Sequence, residues 1–281
     1  ALKLTKLPFA EKHLALMADC HPSGYGMPIG GVLATKNVLI PDGVSNDAGC
    51  GVYLKLYNNI SSDLLNIETG SGKLLNMLIG QIMRNIKTGY EHVDPEKNEN
   101  NYELIEIIRK HQKEIQPPGG LYKSVPFEMD EAVNQAFEIV GSLGGGNHFL
   151  SIVEDQENNI GIMLHTGSRS VGSTVNNYFS NLAQELNKKW YIDVIAPDIH
   201  MPYLPVESRE GQQYLNWMNF ALDIAKLNRR TLMKTAEKEL FKLITKYSDI
   251  NENDIEIEYD VDVHHNYVDI ENVDNKNYYI H

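Results

Sequence analysis

The feature that most constrains this chain is the concentration of its glycine, histidine, cysteine and acidic residues in five short segments. These segments lie far apart in the sequence, and helix-like or strand-like patterns separate them. They read "ADCHPSGYGMPIGG", "SNDAGCGV", "GSLGGGNHFL", "MLHTGSRSVGS" and "YDVDVHHNYVDIE". Any fold that gathers them would place carboxylate, thiol and imidazole groups side by side.

Composition bounds the class of protein. The chain has 281 residues, of which 42% are hydrophobic and 22% charged, as in ordinary globular proteins. A formal net charge of -13 gives no electrostatic footprint for non-specific nucleic-acid binding, although a local basic pocket or bound cations remain compatible with it. Two cysteines, Cys20 and Cys50, favour a reducing, cytoplasmic setting over a disulfide framework. No signal peptide or membrane-spanning stretch is recognisable.

The apolar spacing predicts one mixed α/β domain, which we expect to comprise residues 1–281. The pattern indicates helices over residues 9–17, 61–86 with a break at 70–72, 101–115, 128–140, 174–190 and 208–247. It indicates strands in "VLATKNVLIPDGV", "GCGVYLKLY", "FLSIV", "IGIMLH" and "IEIEYDVDV".

Two of these strands carry histidines at positions that can meet. His148 directly precedes "FLSIV" and His165 ends "IGIMLH", so an antiparallel hairpin would bring both imidazoles to one end of a sheet. The doublet His264–His265 follows a strand pattern, and alternation sends adjacent side chains to opposite faces. Only one histidine of the doublet can therefore serve a given pocket, unless both are exposed polar residues beside an acidic run.

Asp47 and Cys50, three residues apart in a glycine-containing turn, could join imidazoles in a mixed oxygen, sulfur and nitrogen ligand set. Such a set suits divalent transition metals, and a thiolate can bridge two of them. Two adjacent ions could stabilise the attacking and leaving oxygens of a phosphoryl group. Each residue also has a plainer interpretation, since a lone cysteine is often a small buried hydrophobe and a lone histidine is often hydrogen-bonded structure.

Glycines and two polar side chains indicate phosphate chemistry. The run 144–146 lets the backbone approach a ligand closely, and exposed N–H groups there would suit phosphate oxygens. Asn147 adds a neutral donor. Arg169 offers a planar fork suited to a terminal phosphate, or else forms a surface salt bridge.

At these residues the chain resembles the RtcB family of RNA ligases. The resemblance is carried by six motifs in family order, which span most of the chain from about Ala18 to Val268. They are "GYGMPIGGVLAT", "DAGCGV", "GSLGGGNHF", "HTGSRSVG", "YLPVESREGQQYLNWMNFA" and "HHNYV".

The resemblance implies an α+β fold in which mixed and antiparallel sheets form a central core flanked by helices. It also implies a set of site residues. The metal ligands would be Asp47, Cys50, His148, His165 and His265. Cys50 would bridge two manganese ions, with Asp47 and His148 on one and His165 and His265 on the other. The family ligand stands directly before an asparagine, which favours His265 over His264. By the same resemblance Asn147 and Asn266 would contact nucleotide phosphates, and Arg169 would hold the RNA terminal phosphate. Asp19 and His21 match an acid and a histidine of the family whose role is less defined.

The resemblance also implies a reaction and its partners. Family members use GTP and manganese to join RNA 2′,3′-cyclic-phosphate or 3′-phosphate ends to 5′-hydroxyl ends, in tRNA splicing or RNA repair. A histidine is guanylylated, the guanylyl group passes to the RNA 3′-phosphate, and the 5′-hydroxyl displaces GMP. RNA ends, GTP and an archease-like activator are the expected partners. We expect the guanylylated histidine in a segment beyond His281, and a further family segment before Ala1.

Two other functions stay open at this point. Ser151 stands where the family usually has a glutamate that reads guanine, which favours a related metal-dependent phosphoesterase or cyclic phosphodiesterase without guanylylation. The third hypothesis is a non-catalytic module that binds RNA ends or metal. A covalent protein–GMP adduct would distinguish the ligase from both.

Overall fold

A computed structural model of the chain describes residues 1–22, 27–116, 129–190 and 201–281. Its α+β fold confirms the predicted class, with antiparallel sheets and helices packed against them. Residues 24–26 of the motif "GYGMPIGGVLAT" lie outside the described part. No described helix combines the length and the apolar character needed to cross a bilayer.

The described strands are numbered in chain order. They are β1 (Ala10–His21), β2 (Ile29–Thr35), β3 (Val38–Leu39), β4 (Gly51–Ser61), β5 (Glu68–Thr69), β6 (Gly72–Lys73), β7 (Lys87–Thr88), β8 (Ser142–Gly144), β9 (Phe149–Glu154), β10 (Asn159–Thr166), β11 (Leu204–Pro205), β12 (Glu256–His264), β13 (Asp269–Val273) and β14 (Lys276–Ile280).

The described α-helices are numbered in the same way. They are α1 (Pro41–Val44), α2 (Leu74–Asn85), α3 (Asn101–His111), α4 (Met129–Ile139), α5 (Ser170–Lys189) and α6 (Arg209–Tyr247).

Two four-stranded antiparallel sheets organise the fold. One has the order β12-β4-β10-β9 and the other the order β1-β2-β14-β13. The first contains the predicted hairpin: β9 and β10 pair antiparallel with Phe149 opposite His165, which confirms that prediction. Strand β4 lies between β10 and β12, so the histidine-bearing ends of these two strands flank its first residues.

Helix α6 supports the first sheet. The hydroxyl of Ser208 accepts a hydrogen bond from the N–H of Gly211 at 3.0 Å and so caps the helix start. The apolar face of α6, including Leu232 and Leu240, packs on Ile162 of β10 and on the aromatic residues of β4. Burial of this face explains why a helix of 39 residues remains continuous.

One predicted helix is wrong. Residues 9–17 were expected to be helical, but most of them belong to β1, where Leu14 pairs with Leu33 and Leu16 with Gly31. Pairing with β2 outweighs the short-range apolar spacing, as often happens for strands whose partners lie elsewhere in the sequence. The break expected at residues 70–72 is confirmed, because β5 and β6 form a small hairpin there before α2 begins.

Candidate metal centre

One end of the β12-β4-β10-β9 sheet collects the histidine and cysteine side chains. Neighbouring strands are antiparallel, so the start of one strand and the end of the next lie at the same edge. Cys50 directly precedes β4, His148 precedes β9, His165 lies near the end of β10 and His265 follows β12. A backbone hydrogen bond of 2.8 Å from His265 to the Cys50 carbonyl ties the outer segment to the central one.

A first group of ligand atoms comprises Cys50, His165 and His265. The Sγ atom of Cys50 lies 3.2 Å from Nε2 of His165. The Nε2 atoms of His165 and His265 lie 3.2 Å apart. One ligand atom from each of the three residues falls within 4.8 Å of the others, so they could hold one ion.

A second group comprises Asp47, Cys50 and His148. Oδ2 of Asp47 lies 2.9 Å from Nε2 of His148, and that nitrogen lies 3.5 Å from Sγ of Cys50. These atoms also fall within 4.8 Å of one another. The two groups share Cys50, whose buried sulfur therefore sits between two potential ion positions.

The carboxylate of Asp47 is oriented by the start of α5. Its Oδ1 accepts a hydrogen bond from the backbone N–H of Arg169 at 2.8 Å, which leaves Oδ2 directed at His148. A β-carbon at Gly167 would approach that carboxylate to 2.5–2.7 Å, so the absence of a side chain there lets Asp47 reach the helix terminus. A carboxylate beside helix N–H groups is also electrostatically favourable.

The ring of His165 is fixed in one tautomer. Its Nδ1 lies 2.9 Å from the carbonyl oxygen of Asn147, and a carbonyl can only accept, so Nδ1 carries the proton of this hydrogen bond. The lone pair of Nε2 then faces Cys50. A hydrogen bond of this kind, from the far ring nitrogen to a backbone carbonyl, accompanies most histidines that bind metals.

Burial sets the protonation of the ligand atoms. Burial lowers the pKa of His165. Burial, with a smaller electrostatic contribution from the neighbouring His165, also lowers the pKa of His265 to about 4. Both imidazoles are therefore neutral near pH 7 and have a lone pair for an ion. Burial, with a contribution from the charge of Asp47, raises the pKa of the Cys50 thiol, so an ion binding at Sγ would have to displace a proton.

The two histidines of the doublet have different surroundings. His265 joins the cluster, whereas Nδ1 of His264 lies 3.0 Å from Nη2 of Arg229 on α6. The same Nδ1 is 3.1 Å from the carbonyl of Gly49. A guanidinium can only donate and a carbonyl can only accept, so Nδ1 can bond to only one of them. The Gly49 carbonyl already accepts from Nη1 of Arg229 at 2.7 Å, and we therefore assign the tautomer in which Nδ1 accepts from Nη2.

The residues expected to contact phosphate lie around the cluster. The side chain of Asn147 is exposed beside His148, and the amide of Asn266 donates to the Asp47 carbonyl at 3.3 Å. Arg169 donates from Nη2 to the carbonyl of Gly89 at 2.9 Å. Its Nη1 is buried against Gly144 and has no hydrogen-bond partner among the described residues.

A cleft of about 410 Å³ opens beside Asp47, His148 and Arg169. Its other lining residues include Tyr90, His92, Ser170 and Ser173. Arg169 and the Asp47–His148 pair thus line the same open space, which suits an anionic ligand bound next to an ion.

Asp19 and His21 do not enter either ligand group. Both are exposed at the end of β1, and Nδ1 of His21 bonds to the Asp19 carbonyl at 2.8 Å. The charge of Asp19 makes a small contribution that raises the pKa of His265, and burial lowers that pKa by more.

The sequence analysis missed two polar residues of α6. Asn228 and Arg229 are fully buried and contact the loops that carry the ligands. A signal was present for Asn228, because Ala225, Asn228 and Leu232 are spaced as one helix face, and a polar residue on such a face needs a buried partner.

The donor set fits a transition-metal ion. Ligand atoms that each lie about 2.0–2.3 Å from a tetrahedral ion are roughly 3.3–3.8 Å apart. The separations of 3.2 and 3.5 Å between sulfur and nitrogen atoms are close to this range. One carboxylate, one thiol and three imidazoles also match the preference of divalent transition metals for mixed ligands. Fold and site thus define an α+β protein with a candidate metal centre at a sheet edge.

Comparison with known proteins agrees with this description. The family described as "tRNA-splicing ligase RtcB" matches residues 1–281, and the chain belongs to that family. A tRNA-splicing ligase RtcB of Nanoarchaeum equitans is 29% identical over 293 residues, covering 93% of this chain and 58% of the relative. An RNA-splicing ligase RtcB of Escherichia coli K12 is 28% identical over 268 residues, covering 95% of this chain and 62% of the relative. The chain thus spans about three fifths of the length of these relatives.

Proposed function

We propose that this protein is a GTP- and manganese-dependent RNA ligase. It would join RNA ends with a 2′,3′-cyclic phosphate or 3′-phosphate to 5′-hydroxyl ends, in tRNA splicing or RNA repair. The observation that carries the proposal is the sharing of the Cys50 sulfur by two ligand groups in a chain of the RtcB family. Residues 1–281 would act as one catalytic domain in the cytoplasm, with RNA ends and an archease-like activator as partners.

Five side chains would hold the ions. Asp47 and His148 would bind one manganese ion, His165 and His265 the other, and the Cys50 thiolate both. Bound ions would supply Lewis-acid stabilisation of the charge that develops on phosphoryl oxygens. In this role the chain keeps the imidazoles neutral through burial and orients Asp47 and His165 through backbone hydrogen bonds.

Arg169 would bind the RNA terminal phosphate. Arg169 lines the cleft together with Asp47 and His148, and a charge-assisted bond from a guanidinium to a phosphate is among the stronger hydrogen bonds in proteins. The exposed amide of Asn147 and that of Asn266 would contact the phosphates of the nucleotide. Each of these donors lies in a loop next to a residue of the metal cluster or, for Arg169, at the helix start that holds Asp47.

Radiolabelled GTP and RNA test the proposal directly. The protein, produced from its complete coding sequence, is incubated with manganese, α-labelled GTP and RNA that has a 2′,3′-cyclic phosphate and a 5′-hydroxyl. We expect a covalent protein–GMP adduct and a joined RNA product, both abolished by Cys50→Ala and retained by Cys20→Ala. Unjoined RNA and an unlabelled protein, with manganese bound, would rule out the ligase assignment.

A related phosphoesterase is the second candidate, and Ser151 favours it. Ser151 lies in β9 opposite Met163, and its hydroxyl cannot replace the guanine-reading carboxylate expected near this position. The same assay separates the two functions. Opening of the cyclic phosphate without an adduct and without joining would support the phosphoesterase.

A further inference from the structure

A single buried arginine lies beneath the cluster on the side of α6. Arg229 is 0% exposed and makes four hydrogen bonds to three different segments of the fold. Nε donates to Oδ1 of Asp262 at 2.5 Å, and Nη2 donates to Nδ1 of His264 at 3.0 Å. Nη1 donates to the carbonyls of Gly49 at 2.7 Å and Thr166 at 3.1 Å.

Three of these acceptors belong to residues that neighbour a ligand in the chain. The pairs are Gly49 with Cys50, Thr166 with His165, and His264 with His265. The three ligands arise from β4, β10 and β12, which are adjacent in the sheet but far apart in sequence. One rigid guanidinium therefore fixes the relative positions of the segments that form the first ligand group.

The contacts extend beyond an ordinary ion pair with Asp262. The ion pair uses only Nε, and Oδ2 of Asp262 has no hydrogen-bond partner among the described residues. The remaining three bonds all go to neighbours of ligands. A lysine at this position could not reproduce them, because an ammonium group is a point charge and lacks the planar fork that spans several acceptors.

Two of the contacts are specific to the first ligand group, because Thr166 and His264 adjoin ligands of that group only, whereas Gly49 adjoins the shared Cys50. None of the four bonds reaches a chain neighbour of Asp47 or His148. Asp47 is oriented instead by the backbone N–H of Arg169. Loss of the Arg229 guanidinium would therefore disturb the Cys50–His165–His265 group more than the Asp47–Cys50–His148 group.

We propose that Arg229 is a positioning residue that sets the spacing of Cys50, His165 and His265 and thereby the affinity for the ion that these three would share. The inference rests on the metal centre of the proposed function, but not on its RNA chemistry. Residues that orient metal ligands typically change metal affinity by about 10–100-fold when replaced.

Cobalt(II) titration tests this role, because thiolate-to-cobalt absorption reports on Cys50 and the ligand-field bands report on geometry. The proteins are the wild type, Arg229→Lys, and Arg230→Lys as a matched control on the exposed side of α6. We expect two cobalt ions per wild-type chain. Arg229→Lys should bind one ion normally and the other about 10–100-fold more weakly, with altered ligand-field bands. Arg230→Lys should match the wild type.

Other results of the titration would contradict the role of Arg229 or the metal centre itself. If Arg229→Lys lowers the unfolding temperature but binds both ions with the wild-type spectrum, the arginine is only structural and the inference fails. If the wild type binds no cobalt, the metal centre of the proposed function fails as well. Should Arg229→Lys not fold, the double variant Arg229→Met, Asp262→Asn removes the charge together with its buried partner. The same loss of one ion is expected from it, and wild-type binding would overturn the inference.

Discussion

The guanidinium of Arg169 lies against Gly144, so that a β-carbon at position 144 would overlap Nη1 of the arginine. Gly144 also has a φ of +96°, a conformation that side chains disfavour. The last residue of β8 is therefore a glycine for two reasons, and its small size admits the arginine that we assign to the RNA phosphate. Substitution of Gly144 tests this contact.

Gly144→Ala should displace Arg169 from the cleft and weaken the binding of RNA with a 3′-phosphate. Loss of one charge-assisted hydrogen bond of about 1.5–3 kcal/mol corresponds to roughly 10–100-fold weaker binding. Fluorescence anisotropy with a 3′-phosphate oligonucleotide, compared with its 3′-hydroxyl counterpart, measures the effect. Metal content should not change, because the three atoms nearest to a β-carbon at position 144 all belong to Arg169 and not to the cluster.

Gly146→Ala is the matched control for this substitution. Gly146 also has positive φ, +72°, but a β-carbon there meets no atom within 4 Å. It shares the backbone strain without the overlap. Equal losses of RNA binding in both variants would show that strain, and not the position of Arg169, explains the result.

Cys50→Ala should remove both ions, because its sulfur is common to the two ligand groups. Metal content after gel filtration, measured by mass spectrometry, should fall from about two manganese ions per chain to nearly none. Cys20→Ala is the control, since Cys20 lies in neither group. Retention of one ion by Cys50→Ala would mean that the thiolate does not bridge.

The doublet gives an asymmetric prediction. His265→Ala should lose the ion shared with Cys50 and His165, whereas His264→Ala should lose much less metal, because its ring faces Arg229 and not the cluster. The two variants are compared by manganese content under identical dialysis. Equal losses would contradict the assignment of His265 as the ligand.

Short-range patterns predicted much of the fold. The β9–β10 hairpin needs only a polar turn between two apolar runs, and α6 needs only a cap and an apolar face, so both could be inferred locally. The second sheet could not, because β2 lies between β1 and β14, and the pairing of β2 with β14 joins residues about 245 positions apart along the chain. Such pairings depend on the whole fold. The wrong helix at residues 9–17 has a different cause, because β1 pairs with the nearby β2 despite the helix-like spacing of its apolar residues.

Sequence patterns predicted less of the site than of the fold. Cys50, His148 and His165 could be proposed together because each adjoins a strand end, and family resemblance then supplied their roles. Arg229 could not be proposed in this way, because a charged residue in a long helix ordinarily faces solvent. Its function follows only from the arrangement of three strands above it, which the sequence of α6 does not encode alone.

The free energy of unfolding should fall as the pH falls because of His281, which is 7% exposed and lies outside the metal cluster. Nε2 of His281 accepts from the N–H of Ile40 at 2.9 Å, and Nδ1 lies 3.2 Å from the Tyr279 carbonyl, so the neutral ring satisfies both contacts. Burial lowers its pKa to about 4. The unfolded chain therefore binds a proton near the ordinary histidine pKa of about 6.5, whereas the folded protein binds it only at lower pH.

The direction of the pH dependence follows from this difference between the folded and unfolded pKa of His281. Between about pH 6.5 and 4 the unfolded state binds more protons, so the free energy of unfolding falls as pH falls, by roughly 3 kcal/mol from this group, and levels off below pH 4. Urea unfolding of the metal-free protein at several pH values measures the slope. His281→Gln should flatten it, and His13→Gln, on the exposed part of β1, should leave it unchanged. An unchanged slope in His281→Gln would show that this ring does not resist protonation in the folded state.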